Sequence, residues 1–129
     1  MFPEDKKYNI KLFSKNGATS PVLDYLSKLT ISNPRMARKA ISGIKLLNIK
    51  IQTHHDIEII QNVSISLFEL RVQSGNDICR FFFVIEEPEI IVLYGFTKKS
   101  QKTKVKDINA GIEAFNKYQE NKHSINFDI

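Results

Sequence analysis

The 129 residues are 42% hydrophobic, which is enough for one core and too little for two, so a single domain is expected. A formal net charge of +5 points toward anionic partners, nucleic acid among them. Cys79 is the only cysteine, which excludes an intramolecular disulfide, and no run approaches the roughly 18 apolar residues of a membrane span.

The opening MFPEDKKYN lacks the apolar stretch of a signal peptide, and a soluble cytoplasmic protein is expected. Tyr8, Ile10 and Leu12 then alternate with Asn9, Lys11 and Phe13, the period of a strand with one face on a core. After the breaker SKNGATS, Ser20 and Pro21 read as an N-cap and first helical residue, and Val22, Leu23, Leu26 and Leu29 form an apolar stripe. Asn33 and Pro34 repeat that punctuation. Met36, Ala37, Ala40, Ile41, Ile44 and Leu47 recur at helical spacing, so the two stretches predict a helical hairpin. From Ile49 to Ser66 the pattern is poor, with a brief extended piece at 57–60.

Three apolar runs follow: Leu67 to Val72, Ile78 to Ile85 and Ile90 to Phe96. The connections between them are short, which predicts an antiparallel meander. CRFFFVI is apolar on both faces except for Arg80 and predicts a central strand covered on both sides. Ile108, Ile112, Phe115 and Tyr118 return to helical spacing, although Gly111 costs such a helix about 1 kcal/mol against alanine. The domain is expected over 1–120, with 121–129 a flexible tail. The order strand, helix, helix, three strands, helix predicts an α+β fold.

Few side chains suit conventional enzyme chemistry. His54 and His55 are adjacent and lack a cysteine cluster, no Gly-rich phosphate loop is present, and no metal or cofactor is expected. What remains is cationic. Arg71 and Arg80 fall on neighbouring antiparallel strands and Lys98, Lys99 and Lys102 follow the third, so a meander can gather them at one end or face of the sheet. Arginine forks and lysine point charges suit phosphate oxygens and the charge that develops when RNA is cleaved. The residues alone equally allow Arg80 to be a satisfied partner of Glu69 and the lysines to be a solvated turn.

The succession LFELRV (67–72), DICRFFFVI (77–85), EIIVLYGFTKKSQKT (89–103) and KDINAGIEAFNKY (106–118) resembles the phage-derived, HigB-like branch of the RelE/ParE toxin superfamily. The resemblance covers about half the chain in the right order, and SPVLDYLSKL is similar to that family's first helix. It implies a RelE-like fold: a twisted antiparallel sheet of about four strands, an N-terminal helical hairpin and a C-terminal helix. It also implies the toxin of a type II toxin–antitoxin pair. Such a toxin is an endoribonuclease that cuts mRNA on the ribosome without metal, leaves 2′,3′-cyclic phosphate or 3′-phosphate ends, and so inhibits translation.

The partners implied are a cognate antitoxin with a helix-turn-helix DNA-binding domain, mRNA and ribosomal RNA. Carried over position by position, Arg71, Arg80, Lys98 and Lys99 match the basic catalytic positions, with Arg80 foremost for phosphate stabilisation. Lys102, Thr103, Lys104 and Lys106 fall in the RNA-binding segment. Cys79 stands where the family often has an aromatic residue. The alternative within the same superfamily is a non-catalytic inhibitor of DNA gyrase, and a third reading is a phage remnant whose cations only bind ribosomal RNA.

Overall fold

Two N-caps organise the first half of the chain. In the computed structural model, which describes residues 8–48, 57–60, 65–98 and 105–128, Ser20 Oγ accepts the Leu23 N–H at 3.3 Å and opens α1 (Pro21–Ser32). Asn33 serves both helices: its N–H closes α1 on Leu29 O at 2.7 Å, and its Oδ1 accepts the Met36 N–H at 3.2 Å to open α2 (Pro34–Leu46). The expected hairpin is therefore joined through a single residue.

Around these helices run β1 (Asn9–Phe13), β2 (Ile57–Ile59), β3 (Phe68–Ser74), β4 (Asp77–Glu86), β5 (Glu89–Lys98), α3 (Val105–Asn121) and β6 (Ser124–Asn126). The strands form one sheet in the order β2-β3-β4-β5-β1-β6. β3, β4 and β5 make the expected meander, and β2 adds antiparallel to its outer edge through Ile57 opposite Leu70.

Two expectations are corrected. The sheet is mixed and six-stranded, because β1 lies parallel to β5, with Ile10 opposite Ile90 and Leu12 opposite Val92. The chain leaves β1, covers one face with α1 and α2, and starts the meander at the far edge, so β5 returns to β1 running the same way. The segment after Asn121 is also no loose tail over its strand: Lys122, at φ 55°, turns the chain back, and β6 pairs antiparallel with β1 through Ile125 opposite Leu12. Ile125 and Phe127 pack on the helical-hairpin side of the core.

β4 divides the interior. Cys79, Phe81 and Phe83 face α1 and α2 together with Leu12, Leu26, Ile44 and Leu70, whereas Phe82 and Val84 face α3 together with Phe13, Leu93, Ala114 and Tyr118. Phe81, Phe82 and Phe83 are fully buried, and each stabilises the fold by about 1.5–3 kcal/mol relative to exposure. The last two residues of β1, Leu12 and Phe13, are also buried, one in each half of the core.

Position 111 shows packing overriding helix propensity. A Cβ on Gly111 would sit 2.7 Å from Cδ2 of the buried Phe82 ring, so the glycine is what lets α3 lie on β4. Propensity alone makes Gly111→Ala stabilising by about 1 kcal/mol, and the clash with an immobile ring is worth roughly 1–3 kcal/mol in the opposite sense. We expect Gly111→Ala to lower the urea midpoint at unchanged slope, and Phe82→Leu to remove most of that added cost when the two are combined; a raised midpoint in the single variant would refute the packing account.

Candidate functional site

The position of the site depends on one irregularity in the β4–β5 ladder. The register runs Phe83 opposite Val92 and then Phe82 opposite Tyr94, so Leu93 is an extra residue on β5. Because side chains alternate faces, this insertion turns Tyr94, Phe96 and Lys98 onto the α3 side, the side of Arg80 and Phe82. Gly95 then falls opposite Phe81, where a Cβ would lie 2.7 Å from that ring and 3.0 Å from Tyr25. A glycine inside an apolar strand is the sequence signal of such a bulge.

The same face receives Arg71, directly opposite Arg80, and Glu69, two residues earlier on β3. Two guanidiniums side by side repel, and the Glu69 carboxylate between them removes the conflict. Its Oε1 is 2.9 Å from Arg80 Nη1 and 3.8 Å from Arg71 Nε. Arg80 and Glu69 are both 1% exposed, whereas Arg71 is 27% exposed. Phe96 stands opposite Arg80 on β5 and packs against Phe82 and Tyr94, with ring centroids 5.5 and 5.6 Å apart.

At the end of β5, Lys98 Nζ reaches Asp107 Oδ2 in the first turn of α3 at 2.7 Å. A carboxylate there also suits the positive end of the helix dipole. Burial, and secondarily the Asp107 charge, holds the Tyr94 hydroxyl above the ordinary phenol range, so it stays protonated as a hydrogen-bond donor.

The structure thus brings together Arg71, Arg80 and Lys98 and places Lys106 exposed in the first turn of α3. Lys99, Lys102, Thr103 and Lys104 lie outside the described residues. Arg80, foremost among the catalytic expectations, is enclosed and bound to Glu69 instead of facing solvent, and Arg71 is the more accessible fork. Asp107 is the residue that sequence reasoning missed; its position as an acidic third residue of the helix was the available sign. Among the described residues no three His, Cys, Asp or Glu side chains gather into a metal-sized group. The arrangement can hold negative charge at Arg71, while Lys98, its Nζ enclosed against Asp107, adds to the positive field of the face.

The opposite face near the same end is chemically quiet. The Tyr25 hydroxyl hydrogen-bonds Thr97 Oγ1, and burial pushes the nearby Cys79 thiol up to about 12 from an ordinary 9.0. A folded value above the unfolded one means stability that is fully present below pH 9 and is lost as pH rises toward 12. We expect native Cys79 to resist alkylation at pH 8 and to react once urea unfolds the chain; equal rates in both states would refute its burial.

The Glu69–Arg80 pair makes a second expectation. Removing one partner leaves a buried charge and costs roughly 3–5 kcal/mol, whereas replacing both with apolar groups of similar volume is close to neutral. Arg80→Met and Glu69→Leu are therefore each expected to be strongly destabilised in urea and the double variant substantially recovered; simple additivity would show that the two charges act independently.

A family model described as Phage derived protein Gp49-like (DUF891) matches residues 24–116, from within α1 to within α3, a span that includes Glu69, Arg71, Arg80, Tyr94, Lys98 and Asp107. Neither the curated proteins nor the solved structures gave a match. By that match, which spans most of its length, the chain belongs to the phage-derived Gp49-like family.

Proposed function

We propose that this protein is the toxin of a type II toxin–antitoxin pair, with a RelE-like fold, and that it inhibits translation as a metal-independent endoribonuclease acting on mRNA at the ribosome in the cytoplasm. The observation that carries this reading is the shared face of Arg71, Arg80 and Lys98 beside the half-buried Tyr94, set by the β5 bulge. Membership in a phage-derived family and the resemblance of residues 67–118 to HigB-like toxins support it.

In this mechanism the 2′-hydroxyl gives up its proton and attacks the adjacent phosphorus while the 5′-oxygen leaves and takes up a proton, giving a 2′,3′-cyclic phosphate that a water molecule then hydrolyses to a 3′-phosphate. Arg71 meets the non-bridging oxygens, and Lys98 stabilises the charge of the pentavalent phosphorus. Arg80 acts through Glu69, fixing the carboxylate against which Arg71 rests. Lys99 is a further catalytic cation beside Lys98, and Lys102, Thr103, Lys104 and Lys106 track phosphates of mRNA and ribosomal RNA. The antitoxin partner carries a helix-turn-helix DNA-binding domain and silences the toxin.

One observation favours a second reading. Arg80 and Lys98 are both engaged by carboxylates, which suits a non-catalytic inhibitor of DNA gyrase that uses the fold as a binding surface. Induction of the wild-type chain, Arg71→Ala and Lys98→Ala in bacteria separates the two when growth, translation and mRNA 5′ ends are followed together. Arg80 is left intact there because its loss threatens the fold. The nuclease reading expects arrest with new 5′ ends inside coding regions, and each substitution should reduce cleavage by roughly 10²–10³. Arrest without new ends but with DNA damage would transfer the assignment to gyrase inhibition.

A further inference from the structure

The Lys98–Asp107 contact does more than fasten α3. That helix is already held at its other end, where Lys122 Nζ lies 3.1 Å from Glu86 Oε2, and in its middle, where Gly111 rests on Phe82. An apolar pair would fasten the first turn as well as a buried ion pair does. Lys98 and Asp107 are nonetheless charged, with side chains 13% and 6% exposed; Nζ and Oδ2 are themselves enclosed, and among the described residues neither has a hydrogen-bond partner of good geometry beyond their mutual contact. An ammonium has three donors, so this one retains capacity after meeting a single carboxylate oxygen. It does so on the face that carries Arg71 and Arg80, diagonal to Arg80 across the β4–β5 ladder.

We infer that Asp107 is a positioning residue for this cationic face: its carboxylate fixes the enclosed Lys98 ammonium just beneath the surface that an RNA phosphate approaches, and it competes with that phosphate for the charge. The inference rests on the nuclease reading. Fixing a cation improves the geometry of the reaction while weakening its pull on free RNA, so Asp107 raises turnover and lowers ground-state affinity. A side chain with only a structural role lowers both when it is removed.

The test uses the purified full chain as wild type, Asp107→Asn, Lys98→Met and the double variant. Binding of a single-stranded RNA oligonucleotide is titrated across salt, and single-turnover cleavage is followed on ribosome-bound mRNA. Asp107→Asn is expected to bind RNA more tightly, with a log–log salt slope steeper by about 0.7, and to cleave roughly 10- to 100-fold more slowly. In the Lys98→Met background it should change neither quantity.

The inference is overturned if Asp107→Asn loses binding and cleavage together with thermal stability, or if its full effect persists without Lys98. It is also overturned, on its own, if wild type cleaves and Asp107→Asn matches it in slope and rate. A wild-type chain that cuts no mRNA overturns the nuclease reading itself.

Discussion

The extra residue in β5 is the constraint on which the candidate site depends. A strand fixes which side of a sheet each side chain takes, and a shift of one position exchanges the two sides. Without Leu93 as the inserted residue, Gly95 would stand opposite Arg80, and Phe96 and Lys98 would turn toward α1 and α2. That is the side of Cys79 and Phe81, the half of the core that packs on the helical hairpin. The bulge therefore separates two tasks along one strand: the first part of β5 fills the core, and the last part presents a cation and two aromatic rings on the face of Arg80. Gly95 makes the arrangement possible by letting the strand pass against Phe81 and Tyr25 with no Cβ between them.

Electrostatics then decides how much of that face is available. Three cations, Arg71, Arg80 and Lys98, share it with two carboxylates, Glu69 and Asp107. The two carboxylates act differently because they come from different elements. Glu69 belongs to the sheet and lies in the same ladder as the arginines, so its pairing with Arg80 is set as soon as β3 and β4 are in register. Asp107 belongs to α3, so its pairing with Lys98 forms only when that helix docks on β5. One ion pair is part of the platform, and the other reports the seating of the helix above it.

Much of this was legible in the sequence, for reasons that differ by element. The proline-marked helix starts at Ser20 and Asn33 and the three apolar runs of the meander are local signals, and the structure follows them closely. CRFFFVI announced a strand covered on both sides, and Phe81, Phe82 and Phe83 are indeed buried in two different half-cores. What could not be read were facts of pairing. Alternation in β1 says that it is a strand but not that it runs parallel to β5, and the three residues Ser124–Asn126 are too short to display a period. The gathering of Arg71, Arg80 and Lys98 was expected from the meander, yet the depth at which Arg80 sits, beside Phe96 and paired with Glu69, is a tertiary outcome with no local mark.

The placement of β1 has a consequence for how the chain is made. Synthesis delivers residues 9–13 first, but their ladder partners are residues 89–92 on one side and 124–126 on the other. This strand thus waits for residues far along the chain before its backbone groups find their partners, whereas the meander closes between neighbours. Contacts so distant along the chain form late, because the loop entropy must be overcome before they give any stabilisation. In the nascent chain β1 therefore stays unpaired until residues 89–92 emerge, and it keeps one open edge until residues 124–126 follow.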